Sequence, residues 1–283
     1  MKNKKLLVCT FSGGRTSAFM GKFLNEYDKY KDYEKLFVFA NTGKEKEETL
    51  KFIDKCSKEW NIPIVWLEAS IINEKGKGTT YKIVDFETAS RNGEPFVDML
   101  NKYPMPNNFA SNCTRELKQR PIDKFVKDLG FNEVITAMGI RYDERHRKSL
   151  TAKEQNIIYP LCDDIKVDNL FIRNWWSSQC FDLELKDYEG NCDLCFKKSL
   201  RKRLTLIKEN PNIAKWWLDT ENKYSTEKVP RFDLRSNKSV EEIIELSKQR
   251  FKTVEDVYEL SKKQGNLFEE ELDIETDCFC KAN

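Results

Sequence analysis

The run Leu6 to Ser17, LLVCTFSGGRTS, constrains the fold more than any other stretch of the chain. Apolar and β-branched residues run straight into Ser-Gly-Gly, which reads as a buried strand that stops at a tight turn. Gly13 and Gly14 allow the backbone to turn sharply and to lie against a ligand. Ser17 is expected to open a helix, and the free N–H groups of that helix would point back at the same spot. A glycine turn beneath a helix N-terminus attracts anions through unpaired donors and the helix dipole. Gly-Gly alone is also compatible with a plain structural turn. The spacing SGGxxS is more particular, and it is neither the GK[ST] phosphate loop nor GxGxxG.

The chain continues with the same alternation. Phe19, Met20, Phe23, Leu24 and Tyr27 share one helical face within 17–30. KLFVFAN (35–41) predicts a second strand, 44–60 a helix with Leu50, Ile53 and Cys56 inward, and IPIVWLE (62–68) a third strand. Strand and helix in this order imply right-handed crossovers and an α/β fold with a doubly wound parallel sheet. Ligands of such sheets sit at the carboxyl ends of the strands, which is where Ser12–Ser17 and Asn41, Thr42 and Gly43 fall. Thr42 also suits a helix N-cap.

Periodicity weakens over 70–106, read as a lid or insertion. It returns in CTRELKQRPIDKFVKDL (113–129) as a helix and in NEVITAMGI (132–140) as a strand. That strand runs into GIRYDERHR. Arg141, Arg145 and Arg147 suit phosphate or sulfate, and Asp143 or Glu144 would orient them or help to hold Mg2+. The bland alternative is a solvated charged turn. His146 is the only histidine, so a histidine-based metal site or triad is a poor reading.

IIYPL (157–161) predicts a short strand and 167–179 a helix bearing Trp175 and Trp176. Phe196, Leu200, Leu204 and Ile207 form a further helical stripe, beside Lys197, Lys198, Arg201, Lys202 and Arg203. That basic helix is read as a solvated face or as a grip on nucleic acid, tRNA or DNA. Segments 212–218, 240–251 and 254–261 predict three more helices, and an acidic stretch precedes Cys278-Phe279-Cys280. The reading divides the chain into a nucleotide-binding domain, 1–190, and a small C-terminal helical cap, 191–283.

With 283 residues, 39% hydrophobic and 34% charged, the chain has room for a substantial core, and its net charge of +2 argues for no polyanionic partner by itself. No apolar run approaches a membrane span, so a cytoplasmic, membrane-free protein is expected. The nine cysteines include the CxxC pair Cys192 and Cys195, read as metal ligands, a dithiol or a coincidence. Cys9, Cys56, Cys162 and Cys180 fall in apolar or strand patterns and read as buried structural thiols.

SGGRTS, NTGKEKEET, NCTRELKQRP, GIRYDERHR and GNCDLC, in this order over about 6–204, resemble the PAPS reductase and ATP pyrophosphatase superfamily, the adenine nucleotide alpha hydrolases. The resemblance implies a sheet-edge site for ATP or a sulfonucleotide, PAPS or APS, lined by Ser12, Gly13, Gly14, Arg15, Thr16, Ser17, Asn41, Thr42, Gly43, Lys118, Arg141 and Arg147. It implies a cysteine-held [4Fe-4S] cluster, with zinc as the alternative, on Cys113, Cys192 and Cys195; Asn112 stands where the family has a further cysteine, so either the tail supplies the fourth ligand, Cys280 or Cys278, or one iron stays open. Two mechanisms follow from it. In one, ATP with Mg2+ adenylates an acceptor oxygen, Asp143 and Glu144 assist, and a sulfur donor protein then supplies sulfur. In the other, Cys278 or Cys280 attacks the sulfur of PAPS or APS and a reductant protein restores the thiol. A non-catalytic, zinc-containing nucleotide or nucleic-acid binder is the third reading.

Overall fold

The computed structural model describes residues 5–263, apart from 75 and 191. In chain order it forms β1 (Lys5–Thr10), α1 (Arg15–Glu26), β2 (Glu34–Asn41), α2 (Glu47–Trp60), β3 (Ile64–Ile71), β4 (Thr79–Val84) and α3 (Glu94–Leu100). A π-helical turn at Thr114–Gln119 leads into α4 (Arg120–Asp128), followed by β5 (Glu133–Ala137), β6 (Ile157–Ile158), α5 (Pro160–Asp163) and α6 (Asn169–Ser177). The chain then continues through α7 (Leu200–Glu209), α8 (Lys215–Tyr224), α9 (Val240–Lys248) and α10 (Val254–Lys263).

The six strands are ordered β4-β3-β2-β1-β5-β6, and every pairing is parallel except β3 with β4. The strands step outward from β1 to β3, then the chain returns to the other side of β1. The strand order therefore reverses between β1 and β5, where a doubly wound sheet opens its ligand crevice.

The unbroken apolar run of β1 follows from burial on both faces. Leu7 and Cys9 pack with Met20, Leu24, Leu50, Ile53 and Trp176 of α1, α2 and α6, whereas Leu6 and Val8 pack with Ile122 of α4. The helix α1 opens at Arg15, with Gly14 as its N-cap, rather than at Ser17. The stretch read as a lid contributes the antiparallel edge strand β4 and the helix α3. An edge strand leaves one side in water, as Ile83 at 63% exposure shows, and this weakens its periodicity. Pro121 explains the π-helical turn: it has no N–H to give residue 117, and its ring needs room there, so the preceding turn widens.

A second core joins Phe96, Met99 and Leu117 to Leu194, Phe196, Leu206, Trp217, Phe232 and Ile243. The helices α7 to α9 are thus bound to α3 and the π-helical turn. Glu221 secures the long connection after α8 by accepting from the amides of Phe232 at 2.9 Å and Val240 at 2.7 Å. Burial pushes its carboxyl up from the ordinary range, against these amides.

Two expectations are corrected here. The basic run 197–203 is not a continuous cationic face. Arg203 is paired with the buried Asp233, Lys202 is buried, and Lys198 Nζ donates to the carbonyls of Tyr188 and Gly190. Cys180 is exposed, whereas Cys9, Cys56 and Cys162 are buried as expected. Burial also pushes the thiols of Cys9, Cys56 and Cys162 up, disfavouring the reactive thiolate. Limited alkylation of the native protein followed by peptide mass spectrometry is expected to label Cys180 at least about tenfold faster than these three. Equal rates would contradict the assigned burial. Among the described residues no helix is long and apolar enough to cross a membrane.

Candidate active site

Thr10 Oγ1 donates to the carbonyl of Ala137 at 2.9 Å and pins together the carboxyl ends of β1 and β5. The two glycines that follow have different jobs. Gly13 lies at φ +85°, and a Cβ there would meet Thr49 Cγ2 at 2.4 Å, so this glycine lets the loop pack on α2. Gly14 has φ −99° and ψ 162°, open to any residue. A Cβ on Gly14 would meet only Ser12 Oγ, at 3.9 Å, so the space beside it is open.

Ser17 shapes the loop from within. Its Oγ donates to the carbonyl of Gly14 at 3.0 Å and accepts from Ser12 N at 3.1 Å and Ser12 Oγ at 3.0 Å. No side chain caps α1, and its first turn holds no carboxylate. The helix therefore presents donors and the positive end of its dipole to the open space, the arrangement that binds phosphate.

Arg141, just past β5, brings its guanidinium to this loop and donates from Nη1 to Thr16 Oγ1 at 3.2 Å. The close approach relies on Gly139, where a Cβ would stand 3.4 Å from Ser17 Cα. Asp143 holds Arg141 at 3.0 Å, and Glu144 lies between Arg141, 3.5 Å away, and the buried Arg147. Both carboxylates are thus engaged in orienting arginines. His146 is exposed. Arg15 does not join the loop: its guanidinium binds Asp182 at 2.8 Å and the carbonyl of Leu183 at 2.6 Å.

Beyond β2, the segment 41–45 folds on itself. Asn41 donates from Nδ2 to Glu68 Oε1 at 2.6 Å and to the carbonyl of Ser90 at 2.8 Å, and its Oδ1 accepts from Gly43 N at 3.2 Å. Thr42 is not the N-cap of α2, a position held by Lys46. It donates instead from N at 2.9 Å and from Oγ1 at 2.8 Å to Glu45 Oε2. Gly43, at φ +76°, packs against the backbone of Gly93, which itself packs against Trp216.

This segment reaches the cysteines. Thr42, Cys113, Lys118, Cys192, Cys195 and Trp217 line one cleft. Thr42 Oγ1 lies 3.5 Å from Cys192 Sγ, and the buried Lys118 Nζ lies 3.6 Å from Glu45 Oε1. Lys118 thus stands with the thiols. Among the described residues no group of three or more His, Cys, Asp and Glu side chains is arranged to hold a metal ion. Cys278 and Cys280 lie outside the described residues.

Sequence reasoning missed the link between these loops. Lys44 Nζ contacts Asp193 Oδ2, inside the CxxC turn, at 2.9 Å. Its only signal was opposite charge within two motifs already singled out.

The model of the phosphoadenosine phosphosulfate reductase domain matches residues 6–157. An uncharacterized nin region protein of Escherichia phage lambda is 35% identical over 199 residues, 69% of this chain and 67% of that protein. An uncharacterized protein of Methanocaldococcus jannaschii is 26% identical over 148 residues, 52% of this chain and 25% of that protein.

Proposed function

The chain belongs to the phosphoadenosine phosphosulfate reductase family, and from that membership we propose that it is an adenine-nucleotide-dependent enzyme of sulfur chemistry, acting by ATP pyrophosphatase-type activation of an acceptor. One observation carries this reading: the uncapped N-terminus of α1 meets open space at Gly14 and the guanidinium of Arg141, at the switch point of the sheet.

ATP would lie with its phosphates over Gly14 and the first turn of α1, and its adenine along the ends of β1 and β2. An acceptor oxygen attacks the α-phosphorus, the bond from that phosphorus to the bridging oxygen breaks, and pyrophosphate leaves. A reduced sulfur nucleophile from a donor then forms a carbon–sulfur bond and AMP departs with the oxygen. Arg141, held by Asp143 and Glu144, would stabilise the charge that develops on the phosphates. Mg2+ would be held mainly by the phosphates themselves.

The thiols of Cys113, Cys192 and Cys195 supply the donor chemistry for a thiolate-bound group at the second cleft, although among the described residues they are not arranged to hold a metal ion. Three cysteines surround it beside apolar Phe96, Phe196 and Trp217. Cys113, Cys192 and Cys195 would hold an iron–sulfur cluster, with Cys280 as a fourth ligand. When bound, such a cluster supplies iron at which sulfur can be presented. Thr42 and Lys118 border the same cleft and would orient the acceptor toward it.

The test is a product assay on anaerobically purified protein incubated separately with ATP, APS and PAPS, with tRNA, DNA and small-molecule acceptors compared. Pyrophosphate release from ATP without sulfite is expected. Sulfite from APS or PAPS would replace this reading by sulfonucleotide reduction through Cys278 or Cys280.

A further inference from the structure

The CxxC turn is fastened to the segment after β2 through contacts that centre on one residue, Asp193. Asp193 Oδ2 pairs with Lys44 Nζ at 2.9 Å, Asp193 Oδ1 accepts from Trp217 Nε1 at 2.7 Å and from Leu194 N at 2.8 Å, and Asp193 N donates to the carbonyl of Lys44 at 2.9 Å. Glu45 and Cys192 form an antiparallel bridge beside it. Lys44 Nζ also lies 4.6 Å from the centre of the Trp216 ring, and its side chain is only 9% exposed. A nearly buried ammonium held by one carboxylate and one ring face has few alternative positions.

We infer that Asp193, through Lys44, is a positioning residue that transmits occupancy of the nucleotide site to the CxxC turn. The inference rests on the nucleotide reading above and extends it to the coupling of its two halves. The segment 41–45 stands at the carboxyl end of β2, beside the phosphate loop at the end of β1. A nucleotide that orders this segment also orders Lys44, and Lys44 is bonded to the turn that carries Cys192 and Cys195. Coupling of this kind is reciprocal: a ligand held by the thiols raises nucleotide affinity by the same factor by which the nucleotide raises the affinity for that ligand.

Hydrogen exchange of the full chain, followed by mass spectrometry of peptides spanning 188–198, tests the inference independently of metal content and activity. Saturating ATP is expected to slow exchange in this segment at least about fivefold, the lower range of such couplings. In Asp193→Asn, which keeps an acceptor for Trp217 and loses the charge, the ATP effect is expected to fall within about twofold of unity. Lys44→Met is expected to do the same, and the exchanged pair Lys44→Asp/Asp193→Lys is expected to recover part of it. ATP affinity is read in the same samples. Bound ATP with no protection in the wild-type chain, or full protection in a folded Asp193→Asn or Lys44→Met variant, would overturn the coupling alone. Absence of ATP binding to the wild-type chain would overturn the nucleotide reading and this inference with it.

Discussion

Gly14→Val is expected to abolish nucleotide binding while leaving the fold nearly intact. The position has ordinary extended angles, and an added Cβ meets only Ser12 Oγ at 3.9 Å. The protein should therefore lose about 1 kcal/mol at most, since valine is a poorer N-cap than glycine. This corresponds to a lowering of the melting temperature by roughly 2–4 °C. The branched side chain would fill the space where a phosphate must approach the first amides of α1. Loss of those contacts should weaken ATP at least about 100-fold, or about 2.7 kcal/mol. Calorimetric titration and thermal unfolding of the same sample separate the two effects.

The neighbouring glycine is expected to behave in the opposite way. Gly13→Ala places a methyl 2.4 Å from Thr49 Cγ2 at a backbone φ of +85°. Thr49 is buried and β-branched, so it cannot swing aside. Overpacking contributes about 1–3 kcal/mol and the left-handed backbone about 1–2 kcal/mol, so a loss of roughly 2–5 kcal/mol is expected. Thr49→Ser removes the offending methyl. The double variant Gly13→Ala/Thr49→Ser should recover most of the steric part, leaving a 3.2 Å contact with Ile53 Cδ1, and keep the backbone part, and denaturant unfolding of the four proteins reads the difference directly. Additivity of the two substitutions would contradict the assigned contact.

Much of this architecture was legible in the sequence because the sheet is buried on both sides. β1, β2 and β3 are dense apolar runs, and each of the first two ends in glycine-bearing turns that fix where the crevice lies. Leu6–Ser17 and GIRYDERHR were both placed at strand ends, and Thr16 and Arg141 do meet there. Motif order along the chain carried the family.

What escaped was set by direction and by tertiary partners. Arg15 sits inside the loop motif, yet its guanidinium is held by 182–187, residues far away in sequence. Spacing cannot tell which way a long side chain turns from its backbone. Thr42 has the chemistry of an N-cap, but Glu45 three residues later captures its N–H and hydroxyl, so α2 starts further on. The basic run 197–203 suggested a surface, whereas Asp233, thirty residues downstream of Arg203, draws that arginine inside. Cys180 sits after an apolar helix but beyond its end, where the chain is exposed. Gly13 and Gly14 are identical letters, and only the position of α2 divides their roles.

The most direct test of the central claim is a crystal structure of the full chain with a non-hydrolysable ATP analogue. Phosphate oxygens are expected within about 2.7–3.2 Å of the backbone amides at the start of α1 and of the Arg141 guanidinium. An analogue whose phosphates bind elsewhere, leaving the space beside Gly14 to solvent, would contradict it.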